Sequence, residues 1–307
     1  MVEAARRIEG LVERTPLIES EVAGQRIWLK CECLQTGGSF KLRGASNRLA
    51  QLSPGERERG VVAFSSGNHA RGVAIAARRL GIRATIVMPG DAPKVKVEGT
   101  RGEVAEIAFY ARLGESREAI AAKLAGERGA TVVPSFDDVM IVAGQGTVGI
   151  EILEQMAGRP KRIVIPCGGG GLASGIALAC PDAEIVIVEP EGWDDMAHSL
   201  EEGQIVPVGP DAPPTLCDAI QTLKVSPITL GILGDRQAKA LAVSDAEVED
   251  AIRFAWNKHQ LVVEPGAAVG LAALIAGKLE PSEGTVVVLS GGNVDPALHA
   301  RIVSSEA

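Results

Sequence analysis

Residues 162–173 have the sequence Arg-Ile-Val-Ile-Pro-Cys-Gly-Gly-Gly-Gly-Leu-Ala, a short apolar run followed by four consecutive glycines. The β-branched run predicts a buried strand, and the residues after the glycines predict a helix that continues to about Ala179. A glycine-rich turn between a strand and a helix directs backbone N–H groups and the positive end of the helix toward an anion such as phosphate. The alternative is close packing of the helix on the strand, with no ligand.

Strand and helix patterns alternate along most of the chain, as is typical of βαβ units and a parallel sheet. A turn at Ser65–Asn68 leads into a predicted helix, His69–Leu80. Ala267–Gly277 is apolar but shorter than the roughly 18 residues that a membrane span needs, so it predicts a buried helix. Residues 201–233 are rich in Pro, Gly and Asp and predict irregular structure. The predicted strands are Ile27–Cys31, Val61–Phe64, Ala84–Met88, Val104–Phe109, Thr131–Val133, Arg162–Ile165, Glu184–Val188 and Thr285–Leu289.

Composition limits the class of protein. The chain has 307 residues, 46% of them hydrophobic and 23% charged, which is typical of a soluble globular protein with one large core or two domains. Its net charge of −8 argues against nucleic-acid binding and against a polybasic membrane surface. The five cysteines form no CxxC pair, and no apolar segment follows Met1. We therefore expect reduced thiols, no signal peptide and a cytoplasmic location.

A lysine lies between glycines in a second segment, Gly38-Ser39-Phe40-Lys41-Leu42-Arg43-Gly44. A lysine in a partly apolar pocket can lose its proton near neutral pH and attack a carbonyl group. The alternative is a solvated lysine in a turn. Two further turns share a Ser-x-Gly-Asn pattern, Ser65-Ser66-Gly67-Asn68 and Ser290-Gly291-Gly292-Asn293, and each directly follows a predicted strand.

The glycine run also permits a different interpretation. Gly168–Ala173 matches the pattern G-x-G-x-x-A, and Glu189 ends the next strand about 20 residues later, where a dinucleotide-binding fold has its ribose-binding acid. An NAD-dependent oxidoreductase therefore remains an alternative, although it leaves Lys41 and both Ser-x-Gly-Asn turns unexplained. A non-catalytic amino-acid-binding module is a third possibility, and it would not need the lysine.

Taken together, these four motifs resemble those of the serine/threonine dehydratase and serine racemase family over nearly the whole chain. That family consists of pyridoxal 5′-phosphate (PLP) enzymes of fold type II, which is the tryptophan-synthase-β-like fold. The resemblance implies two open, twisted, mainly parallel sheets with helices on both faces. It also implies a large PLP-binding domain, residues 1–58 and 138–307, and a small inserted α/β domain, residues 59–137.

The resemblance further implies an activity. We expect a homodimeric PLP-dependent ammonia-lyase that converts a small β-hydroxy amino acid, namely threonine, serine or 3-hydroxyaspartate, to a 2-oxo acid and ammonia. A serine or amino-acid racemase of the same family is the alternative. Phe136 and Asp137 depart from the Asn-Gln pair of racemase-type sequences and are closer to threonine dehydratases.

The cofactor site is also implied by the resemblance. Lys41 would bind PLP as a Schiff base and, once freed, take the substrate Cα proton, while Phe40 would pack beside the ring. Asn68 would hydrogen-bond the ring hydroxyl oxygen, and Ser290 would meet the pyridine nitrogen. A neutral hydroxyl there leaves the pyridine largely unprotonated, which favours β-elimination. The phosphate would accept hydrogen bonds from the backbone of Gly168, Gly169, Gly170, Gly171 and Leu172.

Substrate contacts follow from the same resemblance. A carboxylate cradle is expected at the start of a helix, where the helix dipole favours an anion. Ser66 would also face the side of the cofactor opposite Lys41 and act as the acid in racemisation, although it could equally be a helix N-cap. Arg117 matches an arginine near the substrate, or else is a surface helix residue. The predicted cradle residues are Ser65, Ser66, Gly67 and His69.

An acidic segment completes the set of predicted sites. Glu189, Asp195 and the backbone carbonyl of Trp193 match the divalent-cation site of the family. Oxygen ligands suit Mg²⁺, Mn²⁺ or Ca²⁺. The alternative is an acidic loop that binds no metal.

Overall fold

The computed structural model describes residues 1–65, 67–92, 94–103, 105–111, 114–156 and 159–305. The strands are β1 (Leu17–Val22), β2 (Gln25–Lys30), β3 (Val61–Phe64), β4 (Ala84–Pro89), β5 (Glu106–Tyr110), β6 (Thr131–Val132), β7 (Arg162–Pro166), β8 (Glu184–Pro190), β9 (Lys239–Val243) and β10 (Thr285–Val288). The helices are α1 (Val2–Arg7), α2 (Lys41–Ala50), α3 (Pro54–Arg59), α4 (Asn68–Leu80), α5 (Lys94–Arg101), α6 (Arg117–Arg128), α7 (Val139–Gln145), α8 (Thr147–Gln155), α9 (Gly171–Ala179), α10 (Asp195–Glu202), α11 (Pro227–Asp235), α12 (Asp245–His259), α13 (Pro265–Ile275) and α14 (Pro296–Ser304).

The described strands form two sheets. The larger has the order β1-β2-β10-β7-β8-β9, and all of its neighbouring strands are parallel except the β1–β2 hairpin at one edge. The smaller has the order β5-β4-β3-β6 and is wholly parallel. Parallel strands need crossover connections, which the helices supply. The predicted α/β class with two mainly parallel sheets is therefore confirmed.

The position of β10 brings the sequence motifs together. β10 lies between β2 and β7, with Val288 opposite Lys30 and Val287 opposite Val164. The carboxyl ends of these three parallel strands therefore meet at one edge of the sheet, where ligands bind in open α/β folds. The lysine segment follows β2, the second serine turn follows β10 and the glycine run follows β7.

Helix α2 connects the two sheets. It begins at Lys41, near the edge of the large sheet, but its apolar side chains Leu42, Ala45 and Leu49 belong to the core of the small sheet. It packs closely against α4 at Gly72, where an added Cβ would lie 3.0 Å from the carbonyl carbon of Lys41. Side chains outside residues 59–137 thus help to cover the small sheet, and the domain boundaries stay a prediction.

Helix α13 lies within the large core. Its residues from Pro265 to Leu274 are buried, which agrees with the predicted buried helix. Within the described ranges, no helix combines the length and the apolar character that crossing a membrane would require.

The predicted irregular region, residues 201–233, is only partly irregular. Helix α11 begins at Pro227 after a capping box in which Ser226 accepts a hydrogen bond from Thr229 N, so the prediction was wrong for this segment. Strand β9 follows, and it was not predicted because Ala and Lys have low strand propensity. Pairing with β8 forms this edge strand in spite of its composition.

Candidate active site

The lysine segment and the second serine turn are joined by backbone hydrogen bonds. Phe40 N donates to the carbonyl oxygen of Ser290 at 3.2 Å, and Gly292 N donates to that of Gly38 at 2.8 Å. Ser39 and Gly291 form an antiparallel bridge between these two contacts. The first residue of α2, Lys41, is therefore held beside Ser290, which is buried.

Lys41 has the properties of a nucleophilic amine. Its Nζ donates to the carbonyl oxygen of Ser135 at 3.2 Å and lies 5.1 Å from the centroid of the Phe40 ring. Burial lowers the pKa of Lys41 to about 8, while the negative charge of Glu264 opposes this shift. About a tenth of the amine is thus uncharged at pH 7, far more than for an ordinary lysine, and the uncharged form is the one that attacks a carbonyl.

The glycine run forms a turn with no side chains of its own, here called the glycine cradle, at the start of α9. Gly170 is the N-cap and has a φ of +83°, a conformation that other residues rarely adopt. An added Cβ at Gly169 would lie 2.4 Å from the Phe136 ring. The first N–H groups of an α-helix have no partner within the helix, so this cradle can donate several backbone hydrogen bonds to one anion. The predicted strand–glycine–helix arrangement is confirmed.

Asn68, the first residue of α4, is held by two side chains. Its Nδ2 donates to Glu264 Oε1 at 2.6 Å, and its Oδ1 accepts from Asn293 Nδ2 at 2.7 Å. Glu264 is buried and immediately precedes α13. Glu264 was not predicted from the sequence, although a glutamate directly before the Pro of an apolar helix was an available signal. Asn293 belongs to the second Ser-x-Gly-Asn turn, but no role in the site was predicted for it.

The first serine turn lies at the end of β3. Ser65 N donates to the carbonyl oxygen of Val87 at 3.1 Å, and Gly67 N donates to Ser65 Oγ at 3.2 Å. Ser66 lies outside the described residues. The roles of Ser65, Ser66 and Gly67 in binding a substrate carboxylate stay predictions.

His69 is buried in α4, and its environment fixes its charge. Its Nε2 lies 2.9 Å from the carbonyl oxygen of Val133, so we assign the ring hydrogen to that nitrogen. Burial and the nearby charge of Lys41 lower the pKa of His69 to about 3. Its Nδ1 is buried and has no hydrogen-bond partner among the described residues. His69 therefore offers an acceptor, which suits a substrate N–H or O–H group better than a carboxylate.

Arg117 begins α6 near the end of β3. Its guanidinium carbon lies 5.9 Å from the centroid of the Phe64 ring, and its Nε donates to Glu118 at 2.8 Å. Phe64 is the last residue of β3 and directly precedes Ser65. A half-exposed cation is thus available close to the predicted carboxylate cradle.

The acidic segment brings two buried carboxylates close together. Glu189 accepts hydrogen bonds from the backbone N–H groups of Met196 and Ala197, at 3.1 and 2.9 Å. Both carboxylate oxygens of Asp195 are buried without a hydrogen-bond partner among the described residues. Burial raises the pKa of Asp195 to about 7, and burial together with Asp195 raises that of Glu189 well above its usual range. Uncompensated buried carboxylates of this kind bind a proton or a cation.

Comparison with known proteins supports the same class of site. Residues 8–291 match the family model described as pyridoxal-phosphate dependent enzyme. An L-threo-3-hydroxyaspartate ammonia-lyase of Pseudomonas sp. is 42% identical, over 99% of this chain and 97% of its own length. A serine racemase of Schizosaccharomyces pombe is 37% identical, over 98% and 95%. The structure of maize serine racemase superposes with a TM-score of 0.92 and 35% identity, over 98% of this chain and 94% of that one.

A glycine cradle at a helix start and a lysine of lowered pKa are the two features that an enzyme with a phosphorylated carbonyl cofactor requires. The chain belongs to the pyridoxal-phosphate-dependent enzyme family, in which its relatives include ammonia-lyases and racemases of small amino acids. The expectation of a PLP-dependent lyase is confirmed, and the oxidoreductase alternative has no support. The buried carboxylate of Glu189 instead caps the start of α10.

The described residues fit PLP. The glycines at Gly168–Gly171 carry no side chain of their own that would obstruct a phosphate at the start of α9, and Lys41 supplies the amine that an aldehyde needs. Ser290 offers a neutral hydroxyl, and Asn68 an amide, from neighbouring segments. The individual contacts of Phe40, Asn68, Leu172 and Ser290 with the cofactor stay predictions.

The lowered pKa of Lys41 predicts how the apoprotein captures PLP. The rate of covalent capture should rise with pH and reach half its maximum near pH 8, because only the uncharged amine attacks an aldehyde. Stopped-flow absorbance over a pH series measures this rate. Nα-acetyl-lysine is the control, with a midpoint at about 10.4. A protein midpoint equal to that of the free amine would contradict the assigned environment of Lys41.

Proposed function

We propose that the protein converts a small β-hydroxy amino acid to a 2-oxo acid and ammonia and that 3-hydroxyaspartate is its preferred substrate. The observation that carries the reaction is the amine of Lys41, which has a pKa of about 8 and is held beside Ser290. This amine donates to the carbonyl oxygen of Ser135, and the next residue, Phe136, packs against Gly169 of the glycine cradle. The observation that favours 3-hydroxyaspartate is Arg117, a cation beside the end of β3. The 42% identity to a hydroxyaspartate ammonia-lyase supports the same choice.

The protein supplies the base for this reaction. Lys41, freed by the substrate amine, accepts the proton from the substrate Cα, and a pKa near 8 suits an amine to this task at physiological pH. PLP, when bound, withdraws electrons from Cα and so makes its proton more acidic. The carbonyl oxygen of Ser135 accepts a hydrogen bond from the Lys41 amine and limits where that amine can point.

Ser290 directs the outcome after proton removal. Its hydroxyl is neutral, so it does not hold a proton on the pyridine nitrogen as a carboxylate would. Negative charge at Cα is then poorly stabilised, and prompt loss of the β-hydroxyl is favoured over reactions that need a long-lived carbanion. Racemisation would need a second acid on the opposite face, and Ser66 is the predicted one.

Arg117 provides the test of substrate choice. Arg117→Gln should lower kcat/KM for 3-hydroxyaspartate by about tenfold to about a hundredfold, because a charge-assisted hydrogen bond to the second carboxylate is lost. The kcat/KM for serine, which has no second carboxylate, should change by less than about threefold. Assays of 2-oxo acid and ammonia release, with chiral analysis of remaining substrate, measure both activities.

Lys123→Gln is the matched control, since it removes an exposed cation from the same helix. Equal losses for both substrates in Arg117→Gln would remove Arg117 from the substrate site. Accumulation of the D-isomer faster than the 2-oxo acid would contradict the proposed lyase function and favour the racemase alternative.

We also propose that Glu189, Asp195 and the Trp193 carbonyl bind a structural divalent cation. Support comes from the two buried carboxylates, of which Asp195 has no hydrogen-bond partner for either oxygen among the described residues. No group of three or more His, Cys, Asp and Glu side chains within those residues could hold a metal, so backbone carbonyls or water would have to complete the ligand set. Carboxylate and carbonyl oxygens suit Mg²⁺, Mn²⁺ or Ca²⁺.

Metal removal tests this site. Chelation should lower the melting temperature, and Mg²⁺, Mn²⁺ or Ca²⁺ should restore it, because a ligand of the folded state stabilises by about 2.7 kcal/mol at a hundred times its Kd. Asp195→Asn removes one of the repelling charges and should make the melting temperature independent of added cation. Glu191→Gln, an exposed carboxylate nearby in sequence, should respond to metal as the wild type does. A stripped wild type that melts as before would exclude the cation.

A further inference from the structure

Four side chains form a continuous hydrogen-bonded chain from the half-buried Arg71 of α4 to the buried Glu264 at the start of α13. Arg71 NH1 donates to Asn293 Oδ1 at 3.0 Å, and Asn293 Nδ2 donates to Asn68 Oδ1 at 2.7 Å. Asn68 Nδ2 then donates to Glu264 Oε1 at 2.6 Å. The members are far apart in sequence, and only Asn68 was expected to belong to the site.

The chemistry of the two ends fixes the direction of every bond. A guanidinium can only donate hydrogen bonds, and an ionised carboxylate can only accept them. Asn293 must therefore present its oxygen to Arg71 and its nitrogen to Asn68. Its second amide hydrogen goes to the carbonyl oxygen of Gly37, at 2.8 Å. If the Asn293 amide were reversed, its nitrogen would face the Arg71 donor, and its oxygen would face the oxygens of Asn68 and Gly37. Neither arrangement makes a hydrogen bond.

The same constraint determines what Asn68 can offer a ligand. Its oxygen is occupied by Asn293, and one of its two amide hydrogens is occupied by Glu264. Among the hydrogen bonds of the described residues, the second amide hydrogen of Asn68 has no acceptor. Asn68 is thus a hydrogen-bond donor whose orientation is set by its hydrogen bonds to Asn293 and Glu264.

The donor lies on the side of the site that contains Lys41 and Ser290. An added Cβ at Gly291, next to Ser290, would lie 1.9 Å from Glu264 Oε1 and 3.3 Å from Asn68 Nδ2. The charge of Glu264 also acts on Lys41. The polar end of Asn68 therefore lies close to both groups that are predicted to contact the cofactor ring.

We propose that Arg71, Asn293 and Glu264 are positioning residues that fix the amide of Asn68 as a donor to an anionic oxygen of the cofactor ring. This inference rests on the proposed function of the site and adds three residues to it. An N–H donor stabilises the ionised form of an oxygen over its protonated form. The hydrogen-bonded chain from Arg71 to Glu264 thereby keeps the ring oxygen of the bound cofactor ionised.

Asn293→Asp gives the sharpest test, because it keeps the shape of the side chain but removes the hydrogens that it donates. The introduced carboxylate still accepts from Arg71, but it can satisfy Asn68 only if that amide reverses and presents its oxygen to Glu264. The dissociation constant of PLP, measured by equilibrium dialysis of the apoprotein, should rise about tenfold or more. The absorption of the bound cofactor should move toward the shorter-wavelength form with a protonated ring oxygen.

Asn47→Asp is the matched control. Asn47 is also buried, and its Nδ2 donates to the carbonyl oxygen of Met140 while its Oδ1 accepts from Arg7. The substitution removes a comparable hydrogen bond that does not belong to the hydrogen-bonded chain from Arg71 to Glu264. It should therefore lower the melting temperature without changing the PLP dissociation constant or the absorption spectrum.

Glu264 gives a second test if Asn293→Asp does not fold. Glu264→Gln keeps an acceptor for Asn68 and should bind PLP within about threefold of the wild type, whereas Glu264→Met should bind it about tenfold more weakly or worse. Equal affinities and spectra for Asn293→Asp and the wild type, or for the two Glu264 variants, would overturn the proposal. A wild type that binds no PLP would instead refute the proposed site itself, and wild-type PLP binding without lyase turnover would refute only the proposed function.

Discussion

The active site depends on the backbone pairing of Gly38–Phe40 with Ser290–Gly292. Three parallel strands deliver the lysine segment, the serine turn and the glycine cradle to one edge of the sheet, but a shared edge does not fix the distance between loops. The hydrogen bonds from Phe40 to Ser290 and from Gly292 to Gly38 do so, because they hold the first residue of α2 against the turn after β10. Lys41 cannot leave Ser290 unless both bonds break.

Burial accounts for much of the chemistry at this edge. It lowers the pKa of Lys41 to about 8 and that of His69 to about 3, so a neutral imidazole lies beside an amine that titrates near physiological pH. Asn68, Asn293 and Arg71 are half-buried and Glu264 is buried, so an incorrectly oriented amide there cannot be fully compensated by water. The chain from Arg71 to Glu264 therefore constrains Asn68 more strongly than the same bonds would at the surface. The orientation of the site is set by groups that are not themselves predicted to contact the cofactor.

The parts of the site that were predicted from the sequence are those formed by a few consecutive residues. A strand, four glycines and a helix are sufficient to indicate an anion cradle, and Lys41 and Ser290 were found because each belongs to a short motif that follows a strand. Glu264 and Asn293 were not found, because their partner Asn68 is 196 and 225 residues away along the chain. Strand β9 was missed for a related reason, since it depends on pairing with β8 rather than on its own composition.

Lys41 is the residue on which cofactor binding and proton removal both depend in the proposed function. The purified protein can be loaded with PLP, reduced with borohydride and digested, and the modified peptide located by mass spectrometry. We expect a single modified lysine, Lys41, and no fixed cofactor in Lys41→Ala. Fixation of the cofactor on a different lysine, or undiminished fixation in Lys41→Ala, would contradict this role of Lys41.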